Sequence, residues 1–355
     1  MDAPGLLARP PEEGARRLAL AFLDQAAAAW GRLHDPAASP GSPSDTEALH
    51  DFRVGLRRLR SCLRAYKEAL AGSVPKRLAR RLRRLARATG PGRDTEVQVE
   101  WLRSRGKHLI RGHRTGLAWE VGRLDERMRA AYGELADLMG SEFPDLEREL
   151  RQRLSVYRAE VHLEPDGPFP TLGDVTAAIL REQTADLAAH LARVESADDE
   201  KAAHRARISA KRLRYLLEPF AGEPAELPAA VPLVKRLKGL QDLLGELHDA
   251  HVLAAELAAA VETAAAERAR RLLALALAET SDETLLRAER SRTQQPGLLA
   301  LARQNRDRRD HLFRDLETEW LGGRADDFLS QVEALQAPDR SHESFERLPA
   351  VGEVQ

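Results

Sequence analysis

Cysteine is almost missing from this chain, since Cys62 is the single cysteine among 355 residues. A disulfide within the chain is therefore excluded, and with it the class of small secreted domains that disulfides hold together. Aromatic residues make up only 5% of the sequence, whereas alanine, leucine, arginine and glutamate dominate. This composition favours helices, and no alternating apolar pattern indicates a sheet. We therefore expect an all-α fold.

Long apolar runs are also missing. No stretch approaches 18 apolar residues, and the first 17 residues already include charged side chains such as Arg9 and Glu12, so neither a membrane span nor a secretory signal is predicted. The sequence has no P-loop, no Gly-x-Ser-x-Gly and no His-Glu-x-x-His signature. We expect a cytoplasmic protein with no membrane contact, no catalytic residues, no cofactor and no metal.

Charge of one sign is concentrated although the net charge is only −1. Residues 50–93 contain fourteen arginines and lysines against two acids, Asp51 and Glu68. Acidic compensation lies elsewhere, for example in residues 195–200 and 315–319. A local field of this size indicates an anionic partner even in a nearly neutral chain.

Proline and glycine clusters divide the chain into predicted helices. The ranges are 12–33, 45–71, 75–89, 93–103, 118–139, 142–160, 171–195, 198–220, 229–246, 249–278, 281–292 and 296–320. Residues 164–170 read as a linker, so we predict a first half at 10–162, a second half at 171–325 and a disordered tail at 338–355.

The clearest pattern is a repeated basic motif, HDFRVGLRRLR at residues 50–60 and HRARISAKRLR at residues 204–214. At about 100° per residue, His50, Arg53, Arg57, Arg60 and Arg64 share one arc of the first helix. Phe52, Leu56, Leu59, Cys62 and Tyr66 lie on the opposite arc. Each motif is therefore predicted to be a helix with a core face and a cationic stripe about 15 Å long.

The repeat continues downstream at an offset of 155, where RRLRRL at 80–85 matches KRLKGL at 235–240 and GPGRDTEV at 90–97 matches GELHDAHV at 245–252. On the second helix, Arg77, Arg80, Arg84 and Arg87 share one arc, and Lys235 and Lys238 repeat part of it. We predict two similar antiparallel helical bundles, related by a pseudo-twofold axis around a basic groove.

Three features leave alternatives open. His50 and His204 suit a capping or packing role, hydrogen bonding to phosphate or, less well, catalysis. His248 and His251 have a spacing that metals use, but the first copy has Arg93 and Glu96 there. Asp94 and Asp249 match across the copies and suit a helix cap or an ion pair with a motif arginine.

With these residues in view, the chain resembles the CHAD family, the "conserved histidine α-helical domain". The resemblance covers about residues 10–325 and implies a helical fold that binds inorganic polyphosphate and associates with intracellular polyphosphate granules. The implied binding residues are His50, Arg53, Arg57, Arg58, Arg60, His204, Arg207, Lys211, Arg212 and Arg214, with Arg80, Arg84, Lys235 and Lys238 as supporting positions. The helical arcs described above add Arg64, Arg77 and Arg87 to the predicted binding residues. The alternatives are nucleic-acid binding in the same groove and, less well supported, a phosphohydrolase or phosphotransferase.

Overall fold

The structure is a computed structural model that describes residues 5–34, 43–156, 169–222, 225–278, 283–291 and 293–335. Its regular elements are all helical, which confirms the all-α prediction. The helices are α1 (Pro11–Leu33), α2 (Pro43–Ala65), α3 (Lys76–Ala88), α4 (Gly90–Arg105), α5 (Arg114–Ser155), α6 (Leu172–Leu191), α7 (Glu200–Leu217), α8 (Ala230–Ala276), α9 (Glu283–Ser291), α10 (Gln295–Trp320) and α11 (Asp326–Glu333). The predicted disordered tail at 338–355 and most of the predicted linker lie outside the described residues.

The helices pack in two sets, which meet where α5 contacts α10, where α2 contacts α7 and where α1 contacts α6. In the first set α1 packs on α2, and α5 contacts α1, α3 and α4. In the second set α6 packs on α7, α7 on α8, and α8 on α10. The second set extends beyond residue 325, because α11 packs on α6 and α8. The contact between α2 and α7 brings the two basic motifs side by side.

The apolar arc predicted for α2 faces the main core. Phe52, Leu56 and Leu59 are fully buried, and Cys62 and Tyr66 are nearly so. Burial raises the pKa of the Cys62 thiol, which fits a small core residue rather than a reactive one. A smaller core lies between α4, α5, α8 and α10. In the part of the chain that the structure describes, no helix combines the length and apolar character needed to cross a membrane.

Two predicted helix breaks are wrong. α5 continues through residues 140–141, and α8 is one helix of 47 residues where a break near 247 was expected. In both places buried apolar residues keep the helical spacing across the expected break, as Leu244, Leu247 and Leu253 do in α8. A single glycine such as Gly245 costs only about 1 kcal/mol in a helix, which this packing overcomes.

Candidate functional site

Six cations from α2 and α7 form one group, which we call the central cluster. Its members are Arg53, Arg57, Arg60, Arg207, Lys211 and Arg214. Lys211 lies close enough to Arg57 and Arg60 across the helix interface, and to Arg207 and Arg214 on its own helix, for all four to act on its pKa. The structure thus brings residues about 150 positions apart in sequence into one cationic surface.

The central cluster is half-buried, and its charges have few partners. None of the six side chains makes an ion pair with any described acid; Arg57 donates a hydrogen bond to the Tyr215 hydroxyl at 3.4 Å. The buried Nε atoms of Arg53, Arg207 and Arg214 have no hydrogen-bond partner among the described residues. Each buried donor left unpaired costs about 1–3 kcal/mol. The cluster therefore presents donors that an anion could satisfy.

Lys211 is the most perturbed member of the cluster. Burial, followed by the charges of Arg57, Arg207, Arg60 and Arg214, lowers the pKa of its ammonium group from 10.5 to about 7. All of these causes act against the charged form, because burial removes water and the neighbours have the same sign. Lys211 is therefore the member of the cluster whose charged form is least favoured.

Two histidines of the second half border the cluster. The rings of His204 on α7 and His248 on α8 are 4.7 Å apart between centroids. Burial and then Arg207 lower the pKa of both, that of His248 to about 4, so His248 is neutral at pH 7. Their buried Nδ1 atoms also have no hydrogen-bond partner among the described residues.

Among the described residues, Asp94 and Asp249 have neither of the two roles expected for them, a helix cap or an ion pair with a motif arginine. Asp94 is inside α4 and Asp249 is inside α8. Neither forms an ion pair within 4 Å in the described part of the chain, yet Asp94 acts on the pKa of Arg53. Burial raises the pKa of Asp249, Arg207 opposes that shift and Asp94 adds to it. The two carboxylates thus lie near each other, each beside a motif arginine.

Further cations surround the central cluster. Arg87 of α3 and Arg64 of α2 act on the pKa of Arg60, and Arg93 of α4 acts on that of Arg53. Arg64 also lies near Arg212, whose pKa is lowered first by burial. Both Arg87 and Arg64 are exposed. They extend the cationic surface beyond the two motif helices.

Three predicted site residues have acids of the chain as partners. Arg58 pairs with Glu218 at 2.5 Å and also donates a hydrogen bond to Gln25. Arg77 and Arg84 pair with acids of α5, namely Glu149 and Glu142. The acids that offset these two arginines come from α5, 58 or more positions away, and not from the acidic stretches at 195–200 and 315–319.

The remaining predicted residues are exposed and outside the cluster. Arg80, Lys235 and Lys238 form no ion pair with a described acid, and His50 has no hydrogen bond with the described residues. Lys235 and Lys238 precede His248 by roughly 15–20 Å along α8, at 1.5 Å per residue. The structure therefore does not bring them into the central cluster.

Arg93, His248 and Tyr215 lie at the site although they were not among the predicted binding residues. The matched sequences at 90–97 and 245–252 contained the signal for two of them, because Arg93 and His248 occupy equivalent positions next to Asp94 and Asp249. Tyr215 follows the second motif directly, and the guanidinium of Arg214 lies 4.8 Å from the centre of its ring.

This arrangement suits a polymeric anion better than a metal ion or a stacked base. Six cations along two adjacent helices offer donors to several oxygens in a row. The aromatic rings of Phe52, Tyr66 and Tyr215 are buried, so none of them offers an open face to a base. The described residues contain no group of three His, Cys, Asp or Glu side chains that could hold a metal ion.

Comparisons with known proteins agree with the helical fold. The family model described as "CHAD domain" matches residues 17–258. No curated protein matches the chain. The crystal structure of the CHAD domain from the plant Ricinus communis superposes with a TM-score of 0.54 at 20% identity, covering 94% of this chain and 95% of that one. PptA from Streptomyces chartreusis gives a TM-score of 0.58 at 17% identity, covering 88% of this chain and 99% of that one. These two structures share the fold, and because the family model matches well over half of the sequence, the chain belongs to the CHAD domain family.

Proposed function

We propose that this protein binds inorganic polyphosphate on the central cluster and catalyses no reaction there. The observation that carries the proposal is the meeting of six cations at the interface of α2 and α7, without an acid paired to any of them among the described residues. A linear chain of phosphates offers closely spaced oxygens that match such a surface. Binding would place the protein wherever polyphosphate collects, and we extend the proposal to polyphosphate granules in the cytoplasm.

Unpaired buried donors support this proposal over that of a solvated charged face. A solvated arginine keeps water around its whole guanidinium group, whereas the Nε atoms of Arg53, Arg207 and Arg214 are removed from solvent. Holding like charges together in this way is unfavourable unless an anion offsets the repulsion. Phosphate oxygens are the acceptors that arginine binds best, through charge-assisted hydrogen bonds.

Calorimetric titration with long-chain polyphosphate at two salt concentrations tests the proposal. We expect Arg57→Ala/Arg60→Ala on α2 and Arg207→Ala/Arg214→Ala on α7 each to weaken binding at least tenfold, since each hydrogen bond to a charged group contributes about 1.5–3 kcal/mol. Each double variant should also reduce the salt slope by about 1.4, at roughly 0.7 per lost phosphate contact. Loss of affinity in both variants would indicate one binding surface formed by both helices.

Arg77→Ala/Arg84→Ala is the matched control. It removes the same number of cations from α3, where both arginines are exposed and paired with acids of α5. We expect affinity and salt slope close to those of the wild type. Equal losses in the control and in the two cluster variants would contradict the proposal, because they would show a response to net charge alone.

Nucleic-acid binding is the main alternative, since cationic grooves bind any phosphate backbone. The rings of Phe52, Tyr66 and Tyr215 are buried. Tyr132, beside Arg53, is half-buried, and its hydroxyl donates a hydrogen bond to Glu96. This speaks against the binding of single strands, because their binders add exposed aromatic platforms. A competition experiment separates the two functions. We expect polyphosphate to displace a labelled oligonucleotide, and the oligonucleotide to displace labelled polyphosphate only at much higher concentration. The reverse order would favour nucleic acid.

Catalysis is the second alternative and would use His204 or His248. The Nδ1 atoms of both rings lack a partner to orient them among the described residues, and lowered pKa values keep His248 uncharged at pH 7. A general acid or base needs such an orienting partner and a pKa near the working pH. Polyphosphate incubated with the protein and Mg²⁺ should keep its length on a gel. Shortening that disappears in His204→Gln would establish an enzyme.

A further inference from the structure

A second cationic surface lies at the connection between α4 and α5. We call it the basic turn, residues 103–114. Its cationic residues are Arg103, Arg105, Lys107, Arg111 and Arg114, and it also contains His108 and His113. No acid occurs between Glu100 and Glu120, so nothing local in sequence offsets this charge. The predicted basic groove did not include any of these residues.

The basic turn is held on the protein surface with its charges outward. Leu109 is buried in the smaller core and anchors the turn, while Lys107, Arg111 and Arg114 are exposed. Arg103 pairs with Asp125 at 2.7 Å, but the other four cations of the basic turn make no ion pair with a described residue. Short 3₁₀ turns fix the backbone on both sides of Leu109.

Two helix N-termini meet beside these cations. α5 begins at Arg114 and α10 at Gln295, and neither has a side-chain cap or an acid in its first turn. They are in direct contact, because a methyl group added to Gly116 would overlap the Gln294 carbonyl oxygen. Each N-terminus has the partial positive charge of its helix dipole, so the helices add to the field of the side chains.

The basic turn is well separated from the central cluster. Arg93, which borders the cluster, and Arg105 are twelve residues apart on α4, a distance of about 18 Å at 1.5 Å per residue. A shallow cavity of about 470 Å³ opens at the far end, lined by Arg103, Lys107 and Arg114 together with Leu117 and Val121. One small anion cannot occupy both surfaces at once, whereas a polymer can.

We propose that the basic turn is a second polyphosphate-binding surface, so that one long chain, or two chains, can engage the protein at two places. The inference rests on the proposed function of the central cluster and adds to it. A chain already held at the cluster is present at the basic turn at a high effective concentration, so even a weak second contact increases the overall affinity. Chains too short to span about 18 Å gain nothing from it.

Affinity as a function of chain length tests this inference. The variant is Lys107→Ala/Arg111→Ala/Arg114→Ala, which changes exposed side chains only. We expect it to bind tripolyphosphate as the wild type does and long-chain polyphosphate at least tenfold more weakly, because a second linked contact can add up to about 10²–10⁴ in overall affinity. Thermal melts should show that the variant folds like the wild type.

The control removes three exposed arginines that pair with acids on their own helices, as Arg148→Ala/Arg287→Ala/Arg306→Ala. Equal weakening in the control, or no loss for long chains in the basic-turn variant, would overturn the inference. So would wild-type binding to phosphatidylserine vesicles that the basic-turn variant loses while long-chain affinity stays unchanged, since a lipid surface would then be the occupant. Failure of the cluster variants to weaken tripolyphosphate binding would instead refute the proposed function.

Discussion

Lys211 offers a sharp test of the central cluster, because its charge depends on what surrounds it. In the free protein, burial and four neighbouring arginines lower its pKa to about 7. Phosphate oxygens placed among these arginines would offset their repulsion and favour the ammonium form, so the pKa would return toward 10.5. Binding should then take up a proton, and polyphosphate affinity should fall as the pH rises above 7.

The size of the effect follows from the two pKa values. At pH 8 a lysine with a pKa near 7 is about one-tenth protonated, so full restoration takes up about 0.9 proton per molecule. The contribution of Lys211 should leave affinity nearly constant below pH 6. Between pH 6 and pH 8 it should lower affinity about tenfold. Long chains are required, because terminal phosphates titrate near neutral pH and must be few.

Lys211→Arg separates the pH dependence caused by Lys211 from that of other titrating groups. An arginine keeps its charge at every pH that the experiment covers. The variant should therefore have a flat affinity profile from pH 6 to pH 8 and should bind more tightly than the wild type at pH 8. Calorimetry in two buffers of different ionisation enthalpy measures the proton uptake directly. Parallel pH profiles for the two proteins would refute the reasoning.

The stability of the free protein should rise with pH, whereas its affinity for polyphosphate should fall. Unfolded Lys211 keeps its proton up to about pH 10.5, whereas the folded protein releases it near pH 7. The unfolded state thus binds more protons between these values, and stability rises with pH through this window. Lys211→Met should remove this contribution, which urea unfolding of both proteins at pH 6.5 and pH 8.5 would show. If stability changed between pH 6.5 and pH 8.5 by the same amount in Lys211→Met as in the wild type, the contribution of Lys211 would be refuted.

Two further predictions concern the fold. Arg58→Met should lower the free energy of unfolding by about 0.5–1 kcal/mol, because its partly exposed pair with Glu218 is lost. The same variant should bind polyphosphate with an affinity close to that of the wild type. A large loss of affinity would place Arg58 in the site. Gly116→Ala should lower stability in urea by about 1–3 kcal/mol through its clash with the Gln294 backbone, whereas Gly140→Ala, in open space on the same helix, should raise it by about 0.5–1 kcal/mol. Equal effects of the two alanines would contradict the packing described at Gly116.

Helical periodicity predicted the motif helices well, because burial of one face is a local property. Phe52, Leu56 and Leu59 follow the helical spacing and are all buried. The continuity of α8 was missed because Gly245 was given the weight of a helix break, while the apolar residues on either side of it determine the outcome. Whether the two halves are related by a pseudo-twofold axis stays a prediction.

The site was harder to predict, because it depends on contacts between distant helices. The sequence identified the cations of both motifs, but the acids that pair with Arg77 and Arg84 are on α5. Helical wheels treat each helix alone and cannot show such partners. In the same way, the environment of Lys211 requires α7 to pack on α2, with Arg57 and Arg60 facing it. Charge pattern predicts which residues can bind an anion, and packing determines which remain available.

Half-burial of the cluster follows from where its residues stand on their helices. Leu56 and Leu59 on α2, and Ala206, Ala210 and Leu213 on α7, are fully buried just beneath the cations. This apolar packing holds the two helices together against the repulsion between their charges. A fully exposed stripe would avoid that repulsion, but water and salt would weaken each contact with phosphate. Partial burial strengthens the attraction to an anion and at the same time makes the free protein less stable, which is why the same residue, Lys211, is expected to reveal both effects.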